Sequence, residues 1–381
     1  ITTGVDEFVE KYGMGPVSKY GQPLLNAYNA VNTNVVTLYG LRVMPKDAAR
    51  ANLHVYAAYK IDVAPEDESQ PWNAGGAKIK MRMTVKFITT STASADQIVD
   101  DVAMTAADLT KIGTGSPAET LLPTVEGFTV KHLFSVACTG RGTYGNTIAV
   151  RIISNTRGDK GNKFKNYTFE VLENNEIAET INVCFYDDAI VGDENRAADV
   201  MINDTVNGLE NIEIGVNYEG FYEIVDKYNT EVAAPLMEDT TAMEAYAKYL
   251  NYSTKPNKGV DLAKEKMTLT IEDFDVLLGI NKKLSTSMSD ATLVKIVNYD
   301  VAPSDSTGAN PVINLNETAG TRMASGAEGA YTEDTGKSLE AAYLAAFNGE
   351  TDPDIRSRNK FPTDVMFDAD YPVNVKLSLI H

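Results

Sequence analysis

Three glycines at fixed spacing, Gly140, Gly142 and Gly145, satisfy G-x-G-x-x-G directly after the apolar run Phe134-Ser135-Val136-Ala137-Cys138. In a dinucleotide-binding fold, that spacing lets backbone N–H groups approach a pyrophosphate seated on the N-terminus of the next helix. The chemistry therefore depends on whether the residues after Gly145 form a helix. Here Ile148, Val150 and Ile152 alternate with Thr147, Ala149 and Arg151, a period of two rich in β-branched residues, which is a strand signature. A P-loop would need a lysine after its last glycine, and Asn146-Thr147 stands there instead. The stretch reads as strand, glycine turn, strand. Gly140, Gly142, Gly145 and Asn146 are expected to supply positive φ at a tight reversal, with Tyr144 covering the turn from one side. On this reading the turn is structural and holds no cofactor.

Other constellations fare no better. Nucleophilic hydrolysis needs a serine or cysteine beside a positioned base. Of the three histidines, His54 and His132 lie in strand patterns and His381 is the last residue; Ser135 and Ser325 carry no elbow motif. Zinc would need clustered Cys and His, and the chain has two cysteines, Cys138 and Cys184, in separate strand-like segments. These are expected to be reduced and partly buried. Acidic groups such as Asp187-Asp188, Asp193-Glu194, Glu272-Asp273-Asp275 and Asp352-Asp354 lack the glycine of a calcium loop and read as solvated faces. Asp368 and Asp370 come after a strand end, where α/β enzymes place their chemistry, yet both also suit a turn before Pro372. No catalytic, metal-binding or cofactor-binding residue is assigned, and the chain is not expected to be an enzyme.

Composition sets the partners. The 381 residues carry 34 basic and 53 acidic side chains, a net charge of −19. That balance disfavours nucleic acid, whose non-specific affinity comes from clustered Lys and Arg. It disfavours anionic lipid as well. No apolar run approaches the roughly 18 residues of a membrane-spanning helix, and the opening Ile1-Thr2-Thr3-Gly4 is not a signal peptide. A start at Ile1 implies a processed or truncated piece, or numbering that begins inside a longer chain.

Periodicity gives the elements around the turn. Helices are expected at Val5–Tyr12, Pro23–Val31, Asp96–Ile112, Ala242–Leu250, Ile271–Leu278 and Ser338–Phe347, and a short helical turn at Pro45–Ala49. Strands are expected at Val35–Val43, Leu53–Ile61, Lys78–Thr90, His132–Val136, Ile212–Val216 and Asp364–Phe367. Tyr167–Glu173 and Glu179–Phe185 flank Asn174-Asn175 as a hairpin. Residues 131–310 look mostly β, and residues 299–337 are loop-rich.

Several separated segments resemble contractile tail sheath proteins of bacteriophages and related injection machines, in the order that family has them. Gly21-Gln22-Pro23-Leu24-Leu25-Asn26-Ala27 and Leu38-Tyr39-Gly40-Leu41-Arg42-Val43-Met44-Pro45-Lys46-Asp47-Ala48 are similar to its first helix, strand and proline turn. Gly142-Thr143-Tyr144-Gly145-Asn146-Thr147-Ile148-Ala149-Val150 resembles its glycine corner. Ala324-Ser325-Gly326-Ala327-Glu328-Gly329 is similar to a "GGxDG" loop, with alanine and glutamate replacing two usual residues. Phe361-Pro362-Thr363-Asp364-Val365-Met366-Phe367-Asp368-Ala369-Asp370-Tyr371-Pro372 resembles a strand ending "FDANYP". The family's N-terminal proline-glycine-valine arm and its C-terminal, tube-facing domain have no counterpart here.

The resemblance implies a structural subunit of the virion, assembled in the host cytoplasm. Copies would stack around an inner tube, and tail tube and baseplate proteins would be met through parts missing here. An extended, metastable lattice would switch to a contracted one and drive the tube through a host envelope. The isolated piece would be monomeric or weakly associating. The fold expected is α+β and multidomain: a discontinuous α/β core from residues 1–61 and 320–381, an inserted α+β subdomain at 62–130, and a β-rich, barrel- or sandwich-like domain with helices at 131–319. An alternative from another class is a surface-displayed or secreted β-rich binding protein, which the acidity and Asn/Thr content permit.

Overall fold

The computed structural model describes residues 48–63, 81–91, 124–154, 167–191, 194–249, 258–271 and 320–327, with shorter pieces at 5, 25, 27–32, 111–112, 116–117, 297–299 and 344. The fold is α+β, with helices and sheets that are antiparallel apart from one short parallel pairing, Val297–Tyr299 beside residues 83–85. The chain divides into two compact units. One comprises Ile1–Ala48, Val99–Val102 and Glu328–His381; the other comprises Ala49–Ile98 and Ala103–Ala327. In the first unit, residues 27–32 are helical with Ala30 and Val31 buried, within the helix expected at Pro23–Val31. The strands expected at Val35–Val43 and Asp364–Phe367, and the helices expected at Ser338–Phe347 and beyond Ile271, lie outside the described residues apart from a helical Leu344.

The second unit is built on two sheets. β1 (Arg50–Val63), β2 (Met81–Thr90), β5 (Thr129–Arg141), β11 (Ile212–Val216) and the three-residue β12 (Val297–Tyr299) form one, ordered β11-β5-β1-β2-β12. β6 (Ile148–Ser154), β7 (Tyr167–Glu173), β8 (Glu176–Val183) and β13 (Thr321–Arg322) form the other, ordered β13-β6-β7-β8. Two small pairs stand apart from them. β9 (Ile190–Val191) pairs with β10 (Glu194–Asn195), and β3 (Lys111–Ile112) with β4 (Ser116–Pro117). The helix expected over Asp96–Ile112 therefore does not reach Ile112. The domain boundaries expected near 61/62 and 130/131 also fall inside one sheet. β1 and β2 are hydrogen-bonded neighbours from His54↔Thr90 to Val63↔Met81, and β1 pairs with β5 as well.

Alternation along β1 explains its place. Leu53, Val55, Ala57 and Tyr59 face the main core; Tyr56 and Ala58 form a second small cluster with Val130 on the opposite face. Burial on both faces is what a central strand requires. At the core's centre the Phe185 ring lies 5.4 Å from Phe134 and from Tyr167, and 5.8 Å from Phe221. One aromatic thus ties β5, β7 and a helix together. That helix, α2 (Tyr218–Tyr228), comes after the short α1 (Ala198–Ile202). It passes through a π turn at Asn229–Ala233 into α3 (Ala234–Met237), with α4 (Thr240–Tyr249) and α5 (Gly259–Met267) beyond. The stretch expected to be mostly β is therefore largely helical from Tyr218 to Met267 among the described residues.

Candidate functional site

β5 runs to Arg141, one 3₁₀ turn covers Thr143–Thr147, and β6 starts at Ile148. The five-residue turn offers no α-helical N-terminus for a phosphate, and the chain re-enters a sheet at once. Strand, turn, strand is the arrangement read from the sequence.

The residues do different work from that expected. Within 140–146 only Gly142 has positive φ, at 110° with ψ 178°, a region open essentially to glycine alone. Gly145 is glycine for space: a Cβ there would meet Ala51 Cβ at 2.7 Å, Cys138 Cβ at 3.0 Å and Cys138 Sγ at 3.2 Å. At Gly140 a Cβ would meet nothing within 4 Å and φ is not positive, so nothing in the structure requires glycine there. Asn146 also lacks positive φ. Its side chain instead grips a segment 180 residues away: Nδ2 donates to the Gly326 carbonyl (2.9 Å), and the Gly326 N–H donates to Oδ1 (2.8 Å). The amide stands in for one residue of a neighbouring strand. Tyr144 remains 43% exposed. Partial burial, then its hydrogen bond to Glu173, pushes its phenol up to about 12.

The gripped segment sews the two sheets together. Thr321 and Arg322 pair with Val150 and Ala149, and Met323 N–H donates to Ile148 O (2.9 Å). At Ala324 the segment reaches the other sheet, where Asn52 N–H donates to Ala324 O (2.8 Å) and Ala324 N–H to Asn52 O (3.2 Å). Ala49 O accepts from both Gly142 N–H (2.9 Å) and Ala327 N–H (3.0 Å). Ser325 turns the segment with φ 70°. Gly326 must be glycine, since a Cβ would lie 2.4 Å from Gly142 O. The corner is closed by its own chain, through backbone hydrogen bonds and one side-chain amide.

The same amide device recurs. Asn203 Nδ2 donates to Ile214 O (2.7 Å), and Asn203 Oδ1 accepts from Ile214 N–H (2.9 Å). Asn229 Nδ2 donates to Leu269 O (2.7 Å), and Asn229 Oδ1 accepts from Leu269 N–H (3.0 Å). Each satisfies a donor and an acceptor where the regular ladder stops.

The second polar cluster is one that sequence separation hides. His54 Nδ1 lies 2.6 Å, and His132 Nε2 2.8 Å, from Ser135 Oγ, and all three residues are buried. A serine between two histidines has the components of a hydrolytic site. A hydroxyl has one hydrogen, so it donates to one ring and accepts N–H from the other; neutral rings satisfy that arrangement. Burial pushes His54 down to about 4; burial, then the charge of His54, pushes His132 down to about 3. The trio is shut away from solvent. The Ser135 hydroxyl ties β1 to β5 through two ring nitrogens, while His132 Nδ1, also buried, has no hydrogen-bond partner among the described residues.

Asp187 accepts from Tyr222 Oη (2.8 Å), and no group of three or more His, Cys, Asp or Glu able to hold a metal occurs among the described residues. Asp193, Glu272, Asp273, Asp275, Asp352, Asp354, Asp368 and Asp370 lie outside them. Cys138 and Cys184 are buried thiols that form no disulfide. No helix among the described residues is long and apolar enough to cross a membrane. In comparison with known proteins, no family model matches the chain, and no curated protein matches it either.

Proposed function

We propose that this chain is a structural subunit of a contractile tail sheath, one copy among many around an inner tube. It would switch from an extended to a contracted lattice to drive the tube through a host envelope. The observation that carries the reading is the corner. Two of the stretches that resemble the family, Gly142–Val150 and Ala324–Gly329, lie far apart in sequence, yet Asn146 and Gly326 lock their described parts together. A corner closed in this way suits a molecule that transmits force through its frame and consumes no nucleotide. The grouping of both chain ends in one compact unit supports the finer architecture, a discontinuous α/β core with inserted domains. Work would come from the difference between two packings summed over many identical interfaces. Tail tube and baseplate proteins would be its partners, the virion its location, and no catalytic residue is assigned. The test is to mix the intact protein with a tail tube protein without nucleotide and image the product by electron microscopy. Striated hollow cylinders are expected; absence of any ordered tube across a range of salt concentrations refutes the reading.

A further inference from the structure

Four strands end the two sheets, and three of these edges are closed or short. Asn203 occupies the outer backbone groups of β11 at Ile214. β12 and β13 are only three and two residues long, and short edges rarely template another strand. β8 differs. It is eight residues long, carries no proline, lysine or arginine, and has exposed side chains at Glu176, Ile177, Ala178, Thr180 and Asn182. Its outer lane is already begun at one end: Cys184 N–H donates to Arg196 O (2.7 Å) and Ala198 N–H to Cys184 O (2.9 Å). Backbone groups of alternate residues share an edge, so Thr180 points its N–H and C=O to that same side. No hydrogen bond from the described residues reaches Thr180 there. A bulge at Ala178, between the pairs Leu172↔Ile177 and Val171↔Glu179, is the edge's one irregularity.

The side chains say what would fill the lane. Glu176 lies opposite Glu173 at the hairpin tip, and Glu179 is held in place by accepting Glu210 N–H (2.7 Å) and Asn211 N–H (3.3 Å). Three carboxylates thus line one face of this end of the hairpin, while Ile177, opposite Leu172 on the other face, is 54% exposed. A second copy paired through this edge would set the same three carboxylates against these, so local repulsion opposes pairing of β8 with β8. We infer that the outer edge of β8 receives an extended segment of a partner protein as an added strand, one in which lysine or arginine alternates with apolar residues. Main-chain hydrogen bonds at Thr180 would give affinity; cations at Glu176 and Glu179 and an apolar contact at Ile177 would give selectivity. The edge is there whether or not the chain polymerises into a sheath.

The probe is an acetylated, amidated peptide of alternating lysine and valine, about eight residues long to match a strand. Its control carries glutamate in place of lysine. Amide exchange is followed in the intact protein, with affinity by fluorescence anisotropy. The lysine peptide is expected to slow exchange of the Thr180 N–H by about tenfold or more, and the glutamate peptide to leave it unchanged. Thr180→Pro removes a donor that serves no bond among the described residues, so it should keep the melting temperature and weaken binding by about tenfold. Ile177→Lys, at an exposed position, should weaken binding likewise and serves if the proline variant does not fold. Unchanged exchange at β8 with the lysine peptide overturns the inference, and so does equal binding to wild type and Ile177→Lys. Protection of β8 in concentrated protein alone, with a dimer in sedimentation, overturns the choice of occupant.

Discussion

Gly145→Ala separates a glycine kept for packing from one kept for a ligand. The added methyl would lie 2.7 Å from Ala51 Cβ and 3.0 Å from Cys138 Cβ, well inside the roughly 3.5–4.0 Å optimum for two carbons. Both neighbours are short side chains on the facing strands β1 and β5, so neither can swing away, and relief requires the backbone to shift. Overpacking of this kind costs about 1–3 kcal/mol. Removing the opposing methyl with Ala51→Gly costs about 1 kcal/mol by itself, from added freedom in the unfolded strand. It also opens the space that the new methyl at position 145 would need. Urea denaturation of wild type, both single variants and the double variant gives the coupling. The double variant should be more stable than the sum of the single effects by about 1 kcal/mol or more. Strict additivity, or a Gly145→Ala change within about 0.5 kcal/mol of zero, would refute the packing explanation.

Three further outcomes rest on the same structure. Asn146→Asp puts a carboxylate oxygen against the Gly326 carbonyl in place of an N–H donor; it should cost about 2–3 kcal/mol at pH 7 in urea denaturation, and less near a pH of about 4 as the carboxyl regains a proton. His54 and His132, held near 4 and 3 in the fold against about 6.5 unfolded, leave the unfolded chain binding more protons below a pH of about 6.5. Their contribution is thus intact above that pH and is lost as pH falls from about 6.5 toward 4, by roughly 3 kcal/mol for His54 alone; stability curves at about pH 7 and 4.5 should show His54→Gln less acid-sensitive than wild type. Cys138 and Cys184, both buried thiols, should react with a thiol reagent slowly in the native protein and at once in denaturant.

Local pattern carries most of what is readable from sequence. The alternation of Leu53, Val55, Ala57 and Tyr59 marks β1, and Asn174-Asn175 marks the hairpin, where both asparagines take positive φ, 51° and 70°. Strand Ile212–Val216 and helix Thr240–Tyr249 sit close to their sequence bounds. Helix Tyr218–Tyr228 is not among the helices expected from the sequence, and it carries a glycine, Gly220, in its first turn. That glycine has a tertiary cause: a Cβ there would lie 2.4 Å from His132 O. The corner is legible as a turn, since period-two alternation after Gly145 rules out a helix. The mechanism of its closure is not. Asn146 is suited by type both to positive φ and to bridging a backbone N–H and C=O, and only the return of the chain at Gly326 decides between them. Likewise nothing local links His54 to Ser135 across 81 residues; strand pairing supplies the contact.

Backbone amide exchange at Gly142, Met323 and Gly326 in the intact protein tests the closed corner most directly. These N–H groups are bonded to Ala49 O, Ile148 O and Asn146 Oδ1. A corner locked by its own chain predicts that all three exchange only with opening of the surrounding core, at the same free energy as central strand amides such as Leu133, and equally with or without added ATP or NAD. Exchange through a low-energy local opening, or protection that rises with added nucleotide, would contradict it.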